Sequence, residues 1–275
     1  MSERASDPSA RSVADVFASC RAEGRGALVG YLPAGYPTVD EAVELLTAMA
    51  EGGCDLLEVG VPYSDPVMDG PTIQAAADTA LRNGFRLRDV FSTVERVTAA
   101  GGNCVVMTYF NPVLRYGVDR FAADLAAAGG LGVITPDLIP DEADEWFAAS
   151  DKYGLSRTFL VSPSSTDERI ASTTAAASGF VYATSIMGVT GARDSVNSAA
   201  AEIVRRTRPH TSLPIGVGLG VRNGDQAAEI AGFADGVIVG SAFVSAAERG
   251  GPSAVRALAQ ELAAGVARAG LPQPA

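Results

Sequence analysis

The chain has 275 residues, and its 21 basic and 32 acidic side chains leave a formal charge of −11. So acidic a chain gains no counterion-release free energy on a phosphate backbone, which argues against nucleic acid, and an anionic membrane surface is disfavoured on the same ground. No apolar run reaches the roughly 18 residues of a spanning helix, Met1–Arg11 lacks a signal-like apolar core, and Cys20, Cys54 and Cys104 fit neither a zinc pattern nor a secreted disulfide framework, so a reduced, cytoplasmic setting is expected.

In chain order, a helix is predicted over Ser12–Glu23, followed by a strand at Ala27–Leu32. Thr38-Val39-Asp40-Glu41 reads as a capped helix start ahead of Ala42–Ala50. Further strands are predicted at Asp55–Val61, Asn103–Tyr109, Gly132–Thr135, Ser156–Val161, Gly179–Thr184, Leu213–Gly218 and Gly236–Val239. Between them lie Ala-, Glu- and Arg-rich segments with helical spacing, including Ser195–Arg208 and Asp225–Ala231, and a last helix covers Ser253–Arg268. Strand–helix alternation requires parallel strands with crossover helices. About eight such units in this length fit a single-domain (β/α)8 TIM barrel with an extra N-terminal helix. A doubly wound open sheet is the rival, but its G-x-G-x-x-G fingerprint is missing, because the first strand runs into Pro33-Ala34-Gly35-Tyr36-Pro37. The ends, Met1–Ser9 and Leu271–Ala275, are expected to fray.

In a barrel of this kind the reacting groups sit at the C-terminal ends of the strands and in the loops after them. The only histidine, His210, and the only lysine, Lys152, both precede strands, and the cysteines fall in a helix or at strand beginnings. That leaves no Ser-His-Asp triad, no Cys-His pair, no Schiff-base lysine at the active face and no multi-histidine zinc site.

Carboxylates remain. Glu58 interrupts the apolar strand Asp55–Val61 and shares a face with Leu56 and Gly60. Pointing inward, it would have a raised pKa and could both donate and accept a proton; the plainer alternative is a structural glutamate paired with an arginine. Asp65 and Asp69 lie in the following loop, and Asp69 before Gly70-Pro71-Thr72 equally suits a helix cap. Gly216-Val217-Gly218-Leu219-Gly220 closes the seventh strand, and Gly240-Ser241 follows the eighth just where a short helix can begin at Ala242. Such loops commonly bind phosphate through backbone N–H groups, without a basic side chain, or simply turn the chain. Gly188-Val189-Thr190-Gly191 is a third glycine-bearing loop, a lid or a turn.

Leu57-Glu58-Val59-Gly60-Val61-Pro62-Tyr63-Ser64-Asp65-Pro66, followed by Asp69-Gly70-Pro71-Thr72-Ile73-Gln74, resembles the signature of the tryptophan synthase alpha-subunit family. The likeness extends through Tyr109-Phe110-Asn111-Pro112, Asp137, Gly188–Gly191, Gly218-Leu219-Gly220 and Gly240-Ser241. It implies a lyase of tryptophan biosynthesis that splits indole-3-glycerol phosphate into indole and glyceraldehyde 3-phosphate. By the same resemblance Glu58 is the general acid/base and Asp69 contacts the indole N–H. Thr190 meets that aspartate when the lid closes, the backbone at Gly191, Gly220, Gly240 and Ser241 surrounds the phosphate, and Tyr31, Tyr109 and Tyr182 line the site. The resemblance implies no metal or organic cofactor in this chain. The partner it implies is a beta subunit carrying pyridoxal phosphate, in an alpha2-beta2 complex, with Pro62, Asp65 and Asn111 as candidate docking residues. Met68 stands where the family usually has a small residue, Tyr36 replaces a common aspartate, and Ile186 and Met187 occupy a part of the lid that can be more polar. Other readings stay open at this point: a different phosphate-handling barrel, a stand-alone indole-releasing lyase, or mainly an activating partner of the beta subunit.

Overall fold

A computed structural model describes residues 12–184, 193–218 and 220–271 of the chain. Fraying expected at Met1–Ser9 and over the last four residues therefore lies outside the described residues.

Nine strand segments are described: β1 Ala27–Pro33, β2 Leu56–Gly60, β3 Cys104–Met107, β4 Gly132–Ile134, β5 Ser156–Thr158, β6 Leu160–Val161, β7 Val181–Thr184, β8 Ile215–Gly218 and β9 Gly236–Val239. They form one sheet in the order β5-β4-β3-β2-β1-β9-β8-β7-β6, and every paired neighbour is parallel. The two end segments, β5 and β6, are the halves of the single strand predicted over Ser156–Val161, interrupted at Phe159. Thr135 N–H donates to the Thr158 carbonyl at 3.2 Å, and Tyr182 N–H donates to the Phe159 carbonyl at 3.1 Å. The fifth strand is thus bonded to β4 on one side and β7 on the other. That closes the barrel and removes the open-sheet alternative.

The described helices are α1 Val13–Ala22, α2 Val39–Glu51, α3 Pro71–Arg82, α4 Asp89–Ala99, α5 Phe110–Tyr116, α6 Val118–Ala127, α7 Asp144–Tyr153, α8 Asp167–Ala176, α9 Arg193–Thr207, α10 Gly224–Ala231 and α11 Ser241–Ala269. Thr38 caps α2 as the sequence suggests, its side chain accepting from Glu41 N–H. The third strand is shorter than predicted because Tyr109 leaves it to become the N-cap of α5. The last helix contains both the short helix expected near Ala242 and the one predicted over Ser253–Arg268. The two are joined across Gly250 and Gly251, where Gly251 takes φ +58° ahead of Pro252. Among the described residues no helix is long and apolar enough to cross a membrane.

Strand alternation sorts the core into two layers. Leu57, Val59, Val106, Val133 and Val217 face outward into the layer shared with the helices. Val29, Leu56, Val105, Ile134, Phe180 and Ile238 pack inside the barrel with Val13, Val16, Phe17 and Cys20 of α1. The extra N-terminal helix is therefore the floor of the barrel, with the Phe17 ring 5.4 Å from that of Phe180. Burying side chains of this size contributes roughly 1.5–3 kcal/mol each. Glu58 sits one inward position above Leu56, where this dry layer ends and the mouth begins.

Candidate active site

Two carboxylates on the second strand segment have opposite environments. Asp55, at its foot, accepts two hydrogen bonds from Arg25 at 2.7 and 2.8 Å and a third from Leu28 N–H at 2.8 Å. Among the described residues Glu58 has no such partner: it is only 1 % exposed, and its Oε2 accepts no hydrogen bond. The arginine-paired carboxylate is therefore Asp55. Desolvation, with the negative charge of Asp69 adding to it, pushes the Glu58 carboxyl up to about 8, so the acid carries its proton at neutral pH.

Asp69 is not a helix cap. The N-cap of α3 is Gly70, with Pro71 as the first helical residue and no side-chain capping bond. The loop after β2 is instead tied at two points. Gln74 Nε2 donates to the Asp69 carbonyl at 2.7 Å, and the Tyr109 hydroxyl accepts from Val67 N–H at 3.1 Å and Met68 N–H at 3.0 Å. This anchoring leaves the Asp69 carboxyl over the barrel mouth. Burial raises its pKa, and a hydrogen bond with Tyr109 opposes that rise.

Glu58 and Asp69 border one cavity of about 340 Å³. Its lining includes Tyr31, Met107, Leu160, Tyr182 and Ile238, together with Gly218, Gly220, Arg222, Gly240 and Ser241. Two tyrosine–glycine pairs shape it. A Cβ on Gly60 would lie 2.4 Å from the Tyr31 hydroxyl, and one on Gly218 would lie 2.4 Å from that of Tyr182. Each ring leans across a glycine of the adjacent strand, so these glycines make room for tyrosines rather than for Glu58. Both phenols are held well above 10, first by desolvation and then by Glu58 and Asp69, so they stay neutral hydrogen-bonding groups. Gly240, which also borders the cavity, precedes α11 without a side-chain cap, and the first N–H groups of that helix have no partner within it.

Tyr109 does not border the cavity; it props up the loop that carries Asp69. Thr190 and Gly191, with Ile186, Met187, Gly188 and Val189, lie outside the described residues, as does Leu219. Asp65 and Asn111 are exposed, and Asn111 Nδ2 donates to the Tyr63 hydroxyl at 3.0 Å. The expected docking surface needs one correction: Pro62, next to buried Val61 at the end of the strand, is itself buried and offers no free surface. The exposed large apolar residues of that loop are Val67, 78 % exposed, and Met68, 39 % exposed. His210 is exposed beside the seventh barrel strand's entry, and Lys152 pairs with Asp119 at 2.7 Å. Arg222, Met107, Leu160, Thr184 and Ile238 border the cavity without having been singled out from sequence. For the strand residues, inward alternation toward the C-terminal ends was the available signal; for Arg222 it was a cation two residues beyond Gly220.

The chain matches the family described as Tryptophan synthase alpha chain over residues 17–269. The chain belongs to that family. A relative from Mycobacteroides abscessus named Tryptophan synthase alpha chain is 65% identical over 255 residues, covering 93% of this chain and 97% of the relative. Tryptophan synthase of Mycobacterium tuberculosis superposes with a TM-score of 0.88 at 62% identity, covering 92% of this chain and 97% of that one. Tryptophan synthase subunit alpha from Legionella pneumophila does so with 0.84 at 30% identity, over 93% and 98%. The TIM barrel, a carbon–carbon lyase of tryptophan biosynthesis acting on indole-3-glycerol phosphate, follows from this membership.

A lyase of this family that holds a neutral buried glutamate has a measurable signature in its stability. Unfolded, Glu58 loses its proton near the ordinary glutamate value; folded, it keeps it up to about 8. Between those values the folded state binds the extra proton, so this term of the stability falls as pH rises and is fully lost above the folded value. Its slope is about 1.4 kcal/mol per pH unit at the steepest. Glu58→Gln has no proton to release, so its melting temperature should fall less between pH 5 and 9 than that of the parent. Equal slopes in thermal melts across that range would mean that Glu58 titrates normally.

Proposed function

We propose that Glu58 and Asp69 together carry the retro-aldol cleavage of indole-3-glycerol phosphate. The observation behind this reading is the buried Glu58 carboxyl, its Oε2 without a hydrogen bond and its pKa pushed up to about 8, bordering one small cavity with Asp69. Glu58 delivers its proton to indole C3, which places positive charge on the ring nitrogen, and the Asp69 carboxylate at the N–H stabilises that charge. The Glu58 carboxylate then takes the proton of the hydroxyl on the carbon bonded to C3. The C–C bond breaks, its electron pair returns to the ring as the C2–C3 double bond, and the hydroxyl carbon becomes the aldehyde of glyceraldehyde 3-phosphate. Glu58 regains its proton, so the cycle closes on side chains alone, with pyridoxal phosphate belonging to the beta subunit.

Tyr31 and Tyr182 flank the indole, and the backbone at Gly220, Gly240 and Ser241 holds the phosphate on the uncapped end of α11. The family resemblance adds Gly191 as a phosphate contact and Thr190 as a partner of Asp69, both outside the described residues. The beta subunit, in an alpha2-beta2 complex, docks on the mouth through Asp65, Asn111 and the exposed Val67, in the cytoplasm. The test is to incubate the purified chain with indole-3-glycerol phosphate, with and without a beta subunit, and assay free indole. Slow release that accelerates on adding the beta subunit is the expected result. Full activity that the beta subunit does not change would identify a stand-alone lyase, and no indole under either condition would refute the reading.

A further inference from the structure

The phosphate end of the cavity carries one feature that a backbone cradle does not account for. Arg222 borders it and is the only cationic residue to do so among the described residues. Its guanidinium has no salt bridge or hydrogen bond among them, whereas Arg25, Arg206, Arg208 and Arg268 are all paired. Nearby acids are engaged elsewhere: Asp225 pairs with Arg268 at 2.7 Å, and Glu261 accepts from Gly224 N–H at 3.0 Å.

The backbone at this position is fixed while the side chain is left unengaged. Val221 is buried. Arg222 N–H donates to Gln226 Oε1 at 2.7 Å, and Gln226 N–H donates to the N-cap Asn223 at 3.0 Å. These two bonds tie the exit of β8 to the first turn of α10, so the point from which the arginine extends is set.

We propose that Arg222 is a specificity-determining residue that pairs its guanidinium with the phosphate of the substrate. The proposal rests on the placement of the phosphate at Gly220, Gly240 and Ser241. Among the described residues, the ionisable groups that border the cavity besides Arg222 are two carboxyls and two phenols, in a chain of charge −11. Without Arg222, a dianionic substrate would then meet, among the described residues, only helix-end N–H groups of partial positive charge. An arginine fork matches phosphate in a bidentate manner, and because the residue is exposed its pull is weakened by salt.

The experiment measures kcat and KM for indole-3-glycerol phosphate, and inhibition by glycerol 3-phosphate, in the parent, Arg222→Ala and Arg222→Lys, at low and physiological salt. Arg222→Ala should raise both KM and the inhibition constant about tenfold, leave kcat within about twofold, and flatten the salt dependence of kcat/KM; lysine should restore most of the loss. Unchanged KM and inhibition constant in Arg222→Ala, with the parent still inhibited, would overturn the role of Arg222 and leave the cradle standing. A fall in kcat at constant KM would also overturn it. A parent that glycerol 3-phosphate does not inhibit would remove the cradle, and this proposal with it.

Discussion

Glu58→Gln should lower kcat for indole release by roughly three orders of magnitude or more, with KM changed little. General acid–base groups contribute about 10²–10⁴-fold each, and in the proposed mechanism this carboxyl serves in both directions. The amide preserves shape and apolar contacts but can neither give up a proton to carbon nor take one from the hydroxyl. The effect is separable from folding because, among the described residues, Glu58 makes no ion pair and its Oε2 no hydrogen bond. A circular-dichroism melt alongside single-turnover kinetics checks both. The parent has a second readout: in the proposed mechanism the competent form of free enzyme is the protonated acid, so kcat/KM should fall as pH rises through about 8. Wild-type turnover in a well-folded Glu58→Gln variant would remove the residue from the mechanism.

Asp69→Asn should cost about 10²–10³-fold in kcat, the range seen when one preorganised group that stabilises transition-state charge is lost. Asparagine can still contact the ring N–H and the Tyr109 hydroxyl, but it cannot offset the charge that develops on the nitrogen. The loss should therefore fall on kcat rather than on substrate binding. Because the Asp69 charge is one of the causes that raise the Glu58 pKa, the alkaline limb of kcat/KM should also move to lower pH in this variant. A limb that stays in place with activity retained would show that the two carboxyls act independently.

How far the chain could be read in advance depended on whether the information was local. The inward direction of Glu58 was legible because alternation along β2 puts it with Leu56, and the inner-layer packing of Leu56 confirms that face. Which acid would find an arginine was not, because Arg25 reaches Asp55 across 30 positions of sequence. The Asp69-Gly70-Pro71 pattern left cap and loop equally open. The choice was made by Tyr109, more than 40 residues onward, holding Val67 and Met68, and by Gln74, whose reach back to the Asp69 carbonyl fixes the turn.

The sequence by itself determined the order of strands and helices, the face on which Glu58 lies, and the absence of histidine, lysine or cysteine chemistry at the barrel mouth. These follow from periodicity, caps and composition, all of which act between near neighbours. Only the tertiary structure decided that the sheet closes through a strand broken at Phe159, that Tyr31 and Tyr182 occupy the space above Gly60 and Gly218, and that Arg222 borders the same cavity as the two acids. Each of those is a meeting of strands or loops far apart in the chain, fixed by how the barrel curls rather than by any residue's own preference.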